Sequence, residues 1–166
     1  LRQHISEVEL TIIGDGPARN ELETLSAKLN APVDFRGALT NSAVRDEINQ
    51  ARVICLPSIR ANNGDAEGFG IVLLEAQACG VPVISSAFGG AQEGIHNGAT
   101  GFSFNEADEA ALFRHLHCLL SDSVTLLKMS VNATAFVKHN FDLHQLTQDL
   151  ESHYDKILES TLISKK

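Results

Sequence analysis

Short aliphatic runs alternate with helical patterns over the first two-thirds of the chain. The segments with strand patterns are VELTII, VDFRG, RVICLPS, VPVISSA and, after a glycine-rich loop, FSF. Segments with apolar residues at helical spacing separate the first four of these runs. This order predicts βαβ units and a parallel sheet with helices on both faces. Right-handed crossovers then give a doubly wound, Rossmann-like α/β fold.

Local signals set some of the helix boundaries. The helix after VDFRG is expected to begin at Thr40 or Asn41, because both residue types cap helix N-termini well. In the segment ARNELETLSAKLN, the residues Leu22, Leu25 and Leu29 share one helical face. From about position 106 the strand patterns stop and three amphipathic helices follow, which predicts a helical C-terminal tail.

Length and composition limit the class of protein. The 166 residues, 43% of them hydrophobic, suit a single domain over residues 1–166 with its own core. The formal net charge of -8 argues against a nucleic-acid partner, since phosphate backbones require a basic face. No apolar run approaches the length of a membrane span, and the first residues lack the apolar region of a signal peptide. The chain begins with Leu rather than Met, which fits a fragment of a longer protein.

Cysteines and histidines give no sign of a disulfide framework or a metal centre. Cys55, Cys79 and Cys118 are odd in number and each lies among apolar residues, so reduced thiols and a cytoplasmic location are expected. His115 and His117 are two apart on a predicted helix and therefore point to different sides. The sequence predicts no metal site.

The segment DAEGFGIVLLEAQACGVPVIS is the strongest candidate for a functional site. Gly68 and Gly70 leave the main chain bare where a helix begins, and the amides of a first helical turn can hold a diphosphate. Glu67 precedes this end and Glu75 lies nearly two turns inside an otherwise apolar helix. A sugar diol would satisfy such a carboxylate, and a solvated position at the helix edge is the alternative.

Two glycine-rich loops are weaker candidates. Gly14 and Gly16 follow a predicted strand, but Arg19 breaks the full dinucleotide fingerprint, and a tight turn explains the pair as well. Gly89 and Gly90 open the segment GGAQEGIHNGATGF. This loop either packs against a ligand or serves as a turn between strands.

These segments together resemble the C-terminal, donor-binding domain of retaining glycosyltransferases with the GT-B fold, in the group called family 4 or group 1. The resemblance covers about residues 8–140. Its most specific part is the E-x7-E pattern with the tail EAQACGVPVI. The other matching segments are LTIIGDGPARNELETLSAKL, VDFRGAL, VICLPS and GGAQEGIHNGATGF.

The resemblance implies a role for each matching position. Glu67 would contact the donor sugar at the reacting centre, and Glu75 would hold the ribose hydroxyls. Backbone amides at the helix end would hold the diphosphate and stabilise its charge as it leaves. The other implied donor-binding residues are Gly68, Phe69, Gly70, Ile71 and Val72 beside the sugar and diphosphate, and Gly14, Gly16, Arg36, Gly37 and Leu39 beside the base.

The family also implies partners. The substrate would be a UDP-, GDP- or ADP-sugar, with no cofactor. The acceptor, a sugar, a lipid-linked group or another small molecule, would bind an N-terminal domain that this sequence lacks. Through that domain, the parent protein could associate peripherally with the inner face of the membrane. The segment GDAEG resembles members that build bacterial polysaccharides.

The chain departs from the family pattern in places. The family's opening strand, which ends near G-R-L, and the Arg and Lys that neutralise the diphosphate have no counterpart before Leu10, and Gln92 stands where proline is common. We therefore expect a gap or rearrangement within the sheet. We also expect weak donor binding and no turnover by this polypeptide alone.

Two other functions fit the sequence. One is a non-enzymatic α/β module that binds a nucleotide or serves in assembly, and it would bind nucleotide without transferring sugar. The other is a GT-B phosphorylase or epimerase, which would release a sugar phosphate or a free nucleotide-sugar.

Overall fold

The computed structural model of the chain describes residues 1, 5, 8–86 and 89–163, with side chains up to residue 158. The predicted order of strands and helices is confirmed, although residue 87 of the predicted strand VPVISSA lies outside the described residues. The strands are β1 (Leu10–Ile13), β2 (Val33–Gly37), β3 (Ile54–Leu56), β4 (Val83–Ser85) and β5 (Gly101–Ser103). The helices are α1 (Arg19–Lys28), α2 (Asn41–Gln50), α3 (Ile71–Ala78), α4 (Glu109–Ser121), α5 (Ser123–Asn140) and α6 (Leu143–Ile163), with a 3₁₀ turn at Gly89–Gln92.

The strands form two parallel sheets. β1 pairs with β2, and β3, β4 and β5 form a second sheet in that order. Among the described residues, β1 and β3 therefore each have an edge without a partner strand. This confirms the expected break in the sheet, and it changes the predicted single layer into two sheets.

Helix α1 has an apolar face that the rest of the described chain does not bury. Leu22, Leu25 and Leu29 are 38%, 46% and 64% exposed. The helix packs against a sheet of two strands, which offers too little surface to cover it. The periodicity correctly predicted the helix, but burial depends on neighbours that these residues do not supply.

The core lies on both sides of β4. On one side, Val83 packs with Leu73 of α3 and Ile48 of α2, all of them buried. On the other side, Ile84 packs with Leu119 of α4 and with α5. Burial of such side chains contributes roughly 1.5–3 kcal/mol each. Helix α3 is therefore held in place by the core, whereas α1 and β1 have little buried surface.

The predicted helix cap and the thiols are also observed. Thr40 is the N-cap of α2, and its Oγ1 accepts a hydrogen bond of 3.4 Å from the Ala43 amide.

All three cysteines are free and half-buried, and burial raises the pKa of the Cys55 thiol to about 11. Within residues 8–86 and 89–163, none of the helices has the length and apolar character that crossing a membrane requires.

A histidine of α4 that stacks on β5 indicates a pH dependence of stability. The His115 ring stacks on Phe102, with centroids 4.4 Å apart. Burial, with the charge of Arg114 adding to it and Asp108 opposing it, lowers the pKa of His115 below 6.5. The unfolded chain therefore takes up a proton more readily than the native state.

The contribution of His115 to the free energy of unfolding is consequently expected to be complete above a pH of about 6.5. The free energy of unfolding should then decrease as the pH falls below this value. Urea unfolding at several pH values measures this, and His115→Gln should flatten the decline. His144→Gln, at an exposed position, serves as the matched control and should keep the decline. Equal pH slopes in the wild type and in His115→Gln would contradict this account.

Candidate functional site

The candidate site is centred on the N-terminus of α3, at the carboxyl end of β3. Gly70 is the N-cap, with a left-handed backbone at φ 71°. A Cβ at this residue would lie 3.0 Å from Leu56 Cδ2 and 3.2 Å from Leu73 Cδ1. Only glycine combines this conformation with so close an approach to the core. The helix therefore begins abruptly, and its first amides are left without helical acceptors.

Glu67 lies directly at this helix end. Its Oε1 accepts a hydrogen bond of 3.0 Å from the Gly70 amide, and the residue is otherwise exposed. A carboxylate is favoured there by the partial positive charge of the helix N-terminus. The same position would place Glu67 beside any anion that bound to the amides of Ile71 and Val72.

Glu75 lies on the exposed side of α3. The buried side of the helix carries Leu73, Ala76 and Gln77. The carboxylate of Glu75 faces solvent, which agrees with the alternative of a solvated position at the helix edge. A role in holding the ribose hydroxyls stays a prediction.

The glycine-rich loop packs against the approach to α3. A Cβ at Gly90 would lie 2.9 Å from the Gly68 carbonyl oxygen, so the two main chains touch. The Phe69 ring lies between this loop and Phe141, whose ring centroid is 5.8 Å away at an interplanar angle of 63°. The segment before α3 is thus held from both sides, and the loop is more than a turn between strands.

The other predicted residues lie together on the β1–β2 sheet. The Gly14 amide donates a hydrogen bond of 2.8 Å to the Gly37 carbonyl, so the ends of β1 and β2 share one edge. Gly16 and Leu39 follow in the adjoining loops. The side chain of Arg36 is engaged elsewhere, with ion pairs of 2.7 Å to Asp34 and 3.9 Å to Glu47.

Arg19 is a residue whose place in this edge the sequence reasoning missed. Its Nη2 donates to the Phe35 carbonyl at 3.3 Å, and its Nε donates to Glu23 at 2.8 Å. A Cβ at Gly37 would lie 3.1 Å from Arg19 Nη1. Arg19 therefore fixes the end of β2 against α1. Its position three residues after Gly16 was the signal in the sequence that could have indicated this contact.

The site is open rather than enclosed. Two shallow hollows among the described residues, of about 430 and 480 Å³, lie near Ser26 and near Val81, away from the N-terminus of α3. Within the part of the chain that the structure describes, no three His, Cys, Asp or Glu residues are grouped so as to hold a metal ion. At the N-terminus of α3, the groups present for binding include main-chain amides and the carboxylate of Glu67.

A parallel α/β fold with an open helix N-terminus at the end of a strand is typical of Rossmann-like domains. The chain belongs to the family described as glycosyl transferases group 1, whose model matches residues 1–136. The predicted family is thereby confirmed.

Two relatives place the chain within this family. It is 35% identical over 133 residues to a GDP-mannose-dependent monoacylated alpha-(1-6)-phosphatidylinositol monomannoside mannosyltransferase of Corynebacterium glutamicum, covering 80% of this chain and 35% of that one. It is 32% identical over 157 residues to the amylovoran biosynthesis glycosyltransferase AmsK of Erwinia amylovora, covering 91% and 39%. The chain thus spans well under half the length of these relatives.

A solved structure confirms the fold as half of a GT-B glycosyltransferase. The structure of Alr3699/HepE from Anabaena in complex with UDP matches with a TM-score of 0.80 at 22% identity, over 93% of this chain and 42% of that one. Because the match includes nearly the whole chain, the two sheets are arranged relative to each other as in that protein. The edge with Gly14 and Gly37 and the N-terminus of α3 each follow the carboxyl end of a parallel strand, where open α/β sheets have their binding crevice.

Proposed function

We propose that this chain is the donor-binding domain of a retaining glycosyltransferase. The enzyme would move a sugar from a nucleotide diphosphate sugar to a glycan, lipid or small acceptor in bacterial polysaccharide biosynthesis. The geometry at the N-terminus of α3 carries the proposal. There, α3 begins at Gly70 and leaves the amides of Ile71 and Val72 without helical acceptors beside the Glu67 carboxylate. The UDP complex of the solved relative and the name of the GDP-mannose-dependent relative support a nucleotide-sugar donor. The name of the amylovoran biosynthesis relative supports a place in polysaccharide biosynthesis.

The chemistry of such a transfer fits this helix end. A glycosyl group leaves with oxocarbenium character while the diphosphate gathers negative charge. The amides of Gly70, Ile71 and Val72 are fixed donors that would stabilise this charge without reorganising. Glu67 would turn from the Gly70 amide towards the positive sugar. The amide of Gly68 and the main chain of Phe69 would position the sugar between them.

The nucleoside would extend from the helix towards the β1–β2 edge. Glu75 faces solvent on α3 and is free to accept hydrogen bonds from ribose hydroxyls. At the β1–β2 edge, Gly37 and Leu39 would meet the base through the main chain, with Gly14 and Gly16 bordering the cleft. The main chain of Arg36 would contribute there too, since its side chain is already ion-paired.

A second domain is part of this proposal. Helix α6 has exposed apolar side chains, among them Leu143, Leu150 and Ile157, which are 78%, 54% and 60% exposed. This exposure supports a second domain that packs on α6. An N-terminal domain would bind the acceptor and close the open site, with peripheral contact to the cytoplasmic membrane face.

The test uses the intact protein with UDP-, GDP- and ADP-sugars and a panel of sugar and lipid-linked acceptors. We expect release of one nucleoside diphosphate and a product whose anomeric configuration, measured by NMR, equals that of the donor. An inverted product would contradict the retaining mechanism. A sugar phosphate formed with added phosphate, a free epimerised nucleotide-sugar, or nucleotide binding without any transfer would identify the phosphorylase, the epimerase or the non-enzymatic module instead.

A further inference from the structure

A buried glutamine joins α3 to the glycine-rich loop. Gln77 is fully buried, and its Nε2 donates to the Gly94 carbonyl at 2.7 Å and to the Leu73 carbonyl at 2.9 Å. Its Oε1 has no hydrogen-bond partner among the described residues. A buried amide with an unsatisfied oxygen costs free energy. Leucine or methionine would fill the same space without that cost, so stability alone does not explain a glutamine here.

The bond to Gly94 has a direct consequence for the candidate site. Gly94 and the buried Ala91 belong to the same loop as Gly90, which touches the Gly68 carbonyl. The Phe69 ring packs against the same loop. The amide of Gln77 therefore connects the body of α3, through the loop, to the main chain just before the N-terminus of the helix.

We propose that Gln77 is a positioning residue that holds the glycine-rich loop against Gly68 and Phe69 and so sets the main-chain geometry that receives the donor sugar. It acts through the loop and does not touch substrate. This inference rests on the proposed function for its kinetic consequence, whereas the placement of the loop can be tested without any activity.

The experiment compares wild type with Gln77→Met in the intact protein. Methionine fills the space but donates no hydrogen bond to Gly94. We expect faster hydrogen exchange in peptides covering residues 89–95. We also expect a KM for the nucleotide-sugar raised about tenfold, because small misplacements of binding groups cost up to about 100-fold in rate. The KM for the acceptor should not change.

Leu119→Ala is the control for general loss of packing, since Leu119 is buried in the other core cluster beside Ile84. It should lower stability without faster exchange at 89–95 and without a change in KM. Should Gln77→Met not fold, Gln77→Asn repeats the test, because its amide is one methylene too short to reach Gly94. Unchanged loop exchange with an unchanged donor KM would overturn the proposal. A wild-type protein that neither binds nor transfers any nucleotide-sugar would refute the proposed function instead, and the exchange result would still decide the role of Gln77 in holding the loop.

Discussion

Glu67→Gln in the intact enzyme is expected to lower kcat for sugar transfer by about 100-fold or more, the loss typical of removing one electrostatic contact to a transition state. Glutamine keeps an oxygen that can accept the hydrogen bond from the Gly70 amide, so the start of α3 is preserved. Only the negative charge beside the developing oxocarbenium ion disappears. Stopped assays with the preferred donor measure kcat, and thermal unfolding monitors the fold.

A carboxylate two residues earlier provides the control for this variant. Asp65 belongs to the same exposed loop and has no proposed contact with the donor. Asp65→Asn should retain a kcat within about twofold of wild type, because exposed side chains without such a contact generally change free energies by less than about 0.5 kcal/mol. If Glu67→Gln matched Asp65→Asn, Glu67 would have no role at the reacting centre.

Gly101→Ala is expected to produce the largest loss of stability in the fold. A Cβ at this residue would overlap the carbonyl oxygen of Val83 and lie 2.9 Å from its Cγ2. Val83 pairs with Gly101 across β4 and β5 and is completely buried. The strands would have to separate, and this disturbs the strand on which both core clusters depend. We expect a loss exceeding about 4 kcal/mol, which leaves little folded protein.

The matched substitution for Gly101→Ala is Gly16→Ala. No atom lies within 4 Å of a Cβ at Gly16, and its backbone is not left-handed. Its free energy of unfolding should change by less than about 0.5 kcal/mol. Denaturant unfolding of both variants measures the difference. Similar stabilities for the two alanine variants would show that β4 and β5 do not pack as described.

The elements that follow from local pattern were predictable from the sequence. The strands at β2 and β3, the Thr40 cap and the three C-terminal helices depend on neighbouring residues along the chain. The break between β1 and β3 was expected from the resemblance. The exposure of Leu22 and Leu25 was not, because burial depends on surfaces supplied by distant segments.

The residue types of the candidate site were predictable from the sequence, whereas the contacts that hold these residues in place were not. Glycines beside glutamates indicated the N-terminus of α3, since that inference needs only the residues around it. Arg19 reaches the carbonyl of Phe35, and Gln77 reaches that of Gly94, 16 and 17 positions away. Such contacts depend on strand pairing and loop packing, which periodicity does not encode. Whether Glu75 is solvated or holds a ligand was left open by the sequence, because the burial of a helix face also depends on packing with distant segments.

The claim that Glu75 holds ribose while the amides of α3 hold the diphosphate is tested most directly by nucleotide affinity. Calorimetric titration of the intact protein should compare its preferred nucleoside diphosphate with the 2′,3′-dideoxy analogue, in wild type and in Glu75→Ala. We predict that wild type binds the ribose form at least about tenfold more tightly, as hydrogen bonds to a charged group allow, and that Glu75→Ala binds both forms equally. An unchanged preference for the ribose form in Glu75→Ala would contradict the account.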